Sequence, residues 1–150
     1  MPDHDIDSDA LVEATTAQAV PIVERTREAA FSGRWRALAD LGVLRPTRES
    51  GTIGPVTTAV AQIEGIGRAG TPPGLCYALA SQRFGIQAPL QGLLADPGWA
   101  SDRGVEAGQT LLCHALTEAA GGSDPLSMTT RAVQNDDGGF VLTGTKSYIT

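Results

Sequence analysis

The chain has 150 residues, 41% of them apolar, with 18 glycines and 9 prolines as punctuation, enough for one domain of ordinary size or for one domain and part of another. Its formal charge of −6, with 11 scattered Lys and Arg that form no basic run, argues against a nucleic-acid or anionic-membrane partner. No stretch is long and apolar enough to span a bilayer, and the acidic N-terminal MPDHDIDSD is not a signal peptide, so the expected location is the cytoplasm.

Taken in order, the first helix is expected to open at Asp7, Ser8 or Asp9, any of which can cap it, and to carry Leu11, Val12, Val20 and Val23. Pro21 lacks an N–H, so the pattern predicts a kink or split there, with a second piece running to about residue 30. A helix over residues 32–41 places Trp35, Leu38 and Leu41 at helical spacing and ends at Gly42, with Trp35 as a core anchor. Residues 45–54 read as a loop, which hands over to a helix opened by Pro55 and closed near Gly70. Its Val56, Ala59, Val60, Ile63 and Ile66 are expected to form one inward apolar stripe, and Gly65 and Gly67 are read as points of close approach to a neighbouring helix.

A fourth helix is expected over residues 75–84 and, after Gly85, a fifth over 86–94 with Pro89 marking a kink or a late start. Together, residues 11–94 predict an antiparallel helical bundle whose core includes Trp35, Leu38, Leu41, Val60, Ile63, Ile66, Leu75 and Leu79. Residues 96–109 are polar and read as a loop or one short helix. Cys76 and Cys113 have no companion cluster, which argues against a zinc site or a disulfide framework, and both are read as small buried hydrophobes. Cys113 and His114 are adjacent, a poor arrangement for a nucleophile and its base on a strand, and His4 sits in a polar tail.

The last quarter is the segment densest in chemistry. An apolar run, 111–116, leads into Thr117, Glu118, Gly121, Gly122, Ser123 and Asp124. Strand-like runs at 127–134 and 140–143 flank Asn135-Asp136-Asp137-Gly138-Gly139, a hairpin signal, and a third run covers 147–150. A strand entering a glycine pair flanked by hydroxyls places backbone N–H groups and small polar side chains where a planar or phosphorylated ligand can approach. Glu118 and Asp124 are read as shaping or capping the turn, and Lys146 as a solvated or ion-paired strand residue.

Leu116, Thr117, Glu118, Gly122, Ser123 and Asp124, followed by Gly144, Lys146, Ile149 and Thr150, resemble the two-part signature of the acyl-CoA dehydrogenase family, a Thr-Glu and Gly-Ser-Asp segment and then Gly-x-Lys-x-x-Ile-Thr about twenty residues on. The likeness extends back through residues 35–44 (WRALADLGVL) and 63–69 (IEGIGRA). The chain departs from the pattern at Ala119, where proline is usual, at Tyr148, where tryptophan is usual, and over 96–109. The resemblance implies an α+β fold: an N-terminal antiparallel helical bundle over 1–109, then at 110–150 the first strands of an antiparallel β-barrel-like domain. The family's C-terminal helical domain, with its catalytic carboxylate, would lie outside this chain, which is then expected to be a fragment or one half of a split enzyme and inactive alone.

The implied activity is an FAD-dependent α,β-dehydrogenation of an acyl thioester of CoA or of an acyl carrier protein, with electron-transfer flavoprotein as an electron acceptor. It implies Leu116, Thr117, Gly122, Ser123, Tyr148 and Thr150 as FAD-binding residues: Thr150 near flavin N5, Thr117 and the Leu116 backbone at the pyrimidine end, Gly122 and Ser123 along the pyrophosphate or thioester tail, and Tyr148 over one ring face. Ser123 would also touch substrate. No catalytic residue and no metal site are expected here, and the assembly is expected to be a homo-dimer or tetramer or an association with a C-terminal half. Two other readings remain open: a flavin monooxygenase or oxidase of the same fold, and a non-catalytic assembly subunit without the cofactor.

Overall fold

In the computed structural model, residues 7–45, 53–94, 98–119 and 124–149 are described. The expected loop over 46–52, His4, Gly121 and the candidate residues Gly122, Ser123 and Thr150 lie outside the described residues. The chain divides into two compact units, Met1–Leu112 and Cys113–Thr150. The first is helical and the second holds a two-stranded antiparallel sheet, an α+β composition.

Asp7 opens α1 (Ser8–Arg25), its carboxylate accepting from the Ala10 N–H at 3.0 Å and so satisfying one of the helix's free first-turn donors. Pro21 does not split this helix, which runs through it without a break. The reason is where the proline falls: Pro21 and Ala17, whose carbonyl loses its donor, are both exposed, so water can take the vacated acceptor. The buried face is Val12, Thr15, Ala19 and Ile22, while the expected Val20 is exposed; the helix also ends at Arg25, short of residue 30.

Helix α2 (Phe31–Ala39) buries Trp35, Leu38 and Ala39, with Phe31 stacked on Trp35 at 5.7 Å between ring centroids. Helix α3 (Ile53–Arg68) begins two residues before Pro55, which therefore sits in the first turn where no N–H is needed. Its expected stripe is corrected by rotation. Val56 and Val60 are 53% and 49% exposed, Ile63 is half-buried, and the covered face is Ala59, Ala61, Gly65 and Ile66. Small residues win that face because α1 crosses it closely: a Cβ on Gly65 would stand 2.7 Å from the Val12 carbonyl oxygen and from Thr15 Cβ. The close-approach expectation is thus met at Gly65, whereas Gly67 is exposed and has only ordinary contact space.

Gly85 does not separate two helices. Helix α4 (Pro73–Ala80) passes into a π-helical segment (Ser81–Gln87) and then α5 (Ala88–Leu93). Pro89 neither starts nor kinks the last piece on its own; a proline lacks the i−4 donor and crowds that carbonyl, and the widened turn before it, with the Ala88 N–H reaching back to the Arg83 carbonyl, accommodates both. The π segment turns polar side chains inward. Gln87 Nε2 donates to the Leu44 carbonyl at 2.9 Å, the Arg83 guanidinium donates to the Arg45 carbonyl, and Gln82 Oε1 accepts from the Leu112 N–H at 3.0 Å. Desolvation lowers the Arg83 pKa from its usual value, partly offset by Glu106.

One core joins Ala19 and Ile22 of α1, Trp35 and Leu38 of α2, Val43 and Leu44 of the following turn, Ile66 of α3, and Leu75 and Leu79 of α4. Leu41 packs on it half-buried. A short α6 (Trp99–Asp102) supplies Trp99 and Ala100 to a satellite cluster with Val105, so of the two readings of the polar stretch, loop or short helix, its described residues include a short helix. Among the described residues no helix is long and apolar enough to cross a membrane.

In the second unit the apolar run before Thr117 is not a strand; only a single bridge forms, at Glu118. Strand β1 (Arg131–Gln134) is shorter than the expected 127–134, because Pro125–Ser127 forms a 3₁₀ turn whose start is capped by the Asp124 carboxylate. It pairs antiparallel with β2 (Phe140–Thr143), Ala132 opposite Leu142 and Gln134 opposite Phe140. The 135–139 turn closes with the Asn135 N–H donating to the Gly139 carbonyl at 2.9 Å, as the hairpin signal predicts. The third run, from Ser147, is no strand either.

Candidate functional site

The described candidate residues all belong to the second unit, and what holds them is an ion pair. Glu118 lies next to Thr117, and its side chain is nearly inaccessible. Its Oε2 accepts from the Thr129 N–H at 2.8 Å and from the Thr129 hydroxyl; its Oε1 accepts from the Thr130 N–H at 2.9 Å and from Lys146 Nζ at 3.0 Å. A carboxylate stripped of water needs this many donors, and here both oxygens find them. Lys146, only 18% exposed at its side chain, spends a second proton on the Leu116 carbonyl at 3.1 Å and contacts Met128 Sδ at 3.2 Å.

The Thr129 hydroxyl first, with the Thr130 side chain and the two threonine amides behind it, holds the Glu118 carboxyl far below the usual carboxylate range, against the opposing pull of desolvation. Of Thr130, it is the N–H that donates to the carboxylate, and the hydroxyl is buried without a hydrogen-bond partner. Glu118 is therefore a fixed anion that organises the fold locally. It is a poor general base, being both weakly basic and saturated with donors.

This pair brings together the two halves of the motif that the sequence separates. The Ser147 N–H donates to the Thr117 carbonyl at 2.9 Å, so the backbone at 116–118 and the backbone at 146–147 run against each other. Gly144 belongs to the same junction: at φ +156°, a Cβ there would stand 2.7 Å from Thr130 Cα, which lets the chain press against the threonines that hold Glu118. Leu116 and Thr117 are half-buried at this seam. Tyr148 leaves it with φ +58°, the lone non-glycine residue in that region among the described residues, and its side chain is 92% exposed. A left-handed conformation is uncommon for a tyrosine and marks a place where the surroundings dictate the backbone.

Lys146 proves to be ion-paired, one of the two possibilities raised, although it lies outside any strand. Asp124 caps a turn, as expected. Cys113 is exposed, contrary to the reading of both cysteines as buried, because the run that carries it never forms a strand with a covered face; Cys76 is half-buried and its thiol is pushed up by burial. The part played by Thr129 and Thr130 was not apparent from sequence, where they look like ordinary strand residues. The chain matches no family model, and no solved structure matches it.

Proposed function

We propose that this chain is the N-terminal part of an FAD-dependent acyl-thioester α,β-dehydrogenase, contributing the helical domain and the first strands of a β-barrel-like domain. The observation that carries the reading is the Glu118–Lys146 pair, which gives the motif residues a joint physical purpose: it draws the backbone at Thr117 against that at Ser147, one residue before Tyr148. In this reading the Thr117 hydroxyl and the Leu116 backbone serve the pyrimidine edge of FAD, the Leu116 N–H giving up its bond to the His114 carbonyl when the ring binds, and Tyr148 offers an aromatic plate already turned outward. An exposed tyrosine and a half-buried threonine fit one face and one edge of a flat ring. Gly122, Ser123 and Thr150, outside the described residues, would complete the set at the pyrophosphate and at N5.

FAD, when bound, supplies the hydride acceptor for the β carbon of the thioester. This chain's own residues orient the ring and exclude water from its edge. They do not supply the base, since Glu118 is locked in its ion pair; the proton-abstracting carboxylate would come from polypeptide beyond these residues. CoA or an acyl carrier protein would carry the substrate, and an electron-transfer flavoprotein would reoxidise the enzyme.

The test is to express this segment together with whatever coding sequence follows residue 150, or with a second chain that supplies the proposed remainder, record bound flavin after gel filtration, and follow its bleaching by acyl thioesters. A second arm compares Thr150→Val, for which flavin should remain bound while single-turnover reduction slows, by roughly 1–3 kcal/mol in the barrier if the donor is left unreplaced. Absence of flavin from the longer protein would remove this reading.

A further inference from the structure

Lys146 is the sole lysine of the chain, and its ammonium has three protons to place. Two go to strong oxygen acceptors, the Glu118 carboxylate at 3.0 Å and the Leu116 carbonyl at 3.1 Å. The third meets a thioether, Met128 Sδ at 3.2 Å, and a thioether is a weak acceptor. Burial makes the mismatch matter, since the lysine side chain is only 18% exposed and water has little room to make good the third bond.

Met128 is open where Lys146 is closed. It is 42% exposed, and its sulfur carries two lone pairs, of which the ammonium engages one. It also directly precedes Thr129 and Thr130, whose N–H groups hold the two oxygens of Glu118. A chemical change at the sulfur is therefore felt by both partners of the ion pair, through Lys146 in space and through Thr129 along the backbone.

We propose that Met128 is a reversible oxidation site for hydrogen peroxide, and that its sulfoxide gives Lys146 a third strong acceptor and tightens the seam between residues 116–118 and 146–147. The free lone pair of the sulfur attacks one peroxide oxygen; an S–O bond forms as the O–O bond breaks, the thioether is oxidised by two electrons, and the peroxide is reduced to water. A sulfoxide-reducing enzyme drawing on thiols runs the exchange backwards. Sulfoxide formation in an apolar core disrupts packing because the new dipole has no partner there. Here the new oxygen is born beside a cation, where a hydrogen bond to an ionised donor is stronger than one between neutral groups. The sulfur must draw back to let its oxygen face Nζ, and an unbranched, half-exposed side chain has solvent to move into. The assignment is independent of the flavin reading, since it concerns only how the seam is held.

The test uses the 150-residue chain labelled with ¹⁵N in lysine and, separately, throughout. Peroxide treatment followed by a thiol reductant should add one oxygen at Met128, located by peptide mass, with Met1 as the other methionine. Proton exchange of the one lysine ammonium, and of the Thr129, Thr130 and Ser147 amides, should then slow by at least about threefold, while α1 is unchanged. Met128→Gln, which sets an amide oxygen near the same place, should show the slowing without peroxide. Met128→Leu treated in parallel keeps Cys76, Cys113 and Met1, and should show no slowing. Unchanged or faster exchange in the Met128 sulfoxide, equal slowing in Met128→Leu, or a Met128 that stays unoxidised where Met1 is converted would each overturn the assignment.

Discussion

At the scale of single residues, two side-chain environments make sharp predictions. The Glu118 carboxyl titrates well below its usual value of 4.5 when folded, so the unfolded chain takes up the proton first as pH falls. The sign follows: the contribution of Glu118 is fully present above the unfolded value, erodes as pH drops below about 4.5, and is gone only beneath the depressed folded value. Glu118→Gln removes this step and leaves Lys146 without its counter-ion. Faster amide exchange at Thr129, Thr130 and Ser147 should accompany a flatter acid limb in the stability of the second unit; unchanged exchange at those amides would refute the role given to the pair. Gly65→Ala makes the opposite kind of test. Alanine ordinarily gains about 1 kcal/mol over glycine inside a helix, yet here its Cβ meets the Val12 carbonyl of α1, a backbone atom that cannot swing aside. The expected result is a net loss of about 1–3 kcal/mol, read as a lower denaturation midpoint.

At the scale of elements, Pro21→Ala should restore a donor toward the Ala17 carbonyl in a helix that is already continuous, raising stability by about 1–3 kcal/mol in the same denaturation measurement; a fall would mean that the proline sets a bend the packing needs. Existence and order of the helices could be read from sequence because residues such as Trp35, Leu38, Ile66 and Leu79 repeat at helical spacing and do fill the core. The face of α3 could not. Hydrophobicity favours Val56 and Val60, but the partner α1 approaches too closely for them and selects Ala61 and Gly65, a property of the pair of helices that neither sequence states alone. The π segment was hidden for a similar reason, since Gln82, Arg83 and Gln87 look like surface residues until the Leu44, Arg45 and Leu112 backbone groups they hold are in place. In the second unit the turn residues at 135–139 revealed the hairpin, while the contact of Glu118 with Lys146, 28 positions away, had no local trace.

At the scale of the whole molecule, the two units differ in how much each encloses. The first gathers its large apolar side chains into a shared core. The second leaves every residue of β1 and β2 exposed, Val133, Phe140, Val141 and Leu142 among them, on a sheet of two strands. A two-stranded sheet without a covered face is marginal in water, and a cofactor as large as FAD needs walls on both sides of its ring. In the proposed reading Leu116, Thr117 and Tyr148 would provide an edge and one plate. The 150-residue chain alone should therefore lose added FAD on gel filtration and show no bleaching by acyl thioesters. Its amides in β1 and β2 should exchange far faster than those of α1 and α3, because opening a hairpin exposes little that is not already in water. Supplying the rest of the proposed enzyme, in cis or as a second chain, should raise flavin retention and slow exchange in β1 and β2 together, since the same polypeptide would cover the sheet and close the ring's second face. Tight flavin retention by the 150 residues alone would refute this account, and slowed hairpin exchange without flavin would separate the fold proposal from the cofactor proposal.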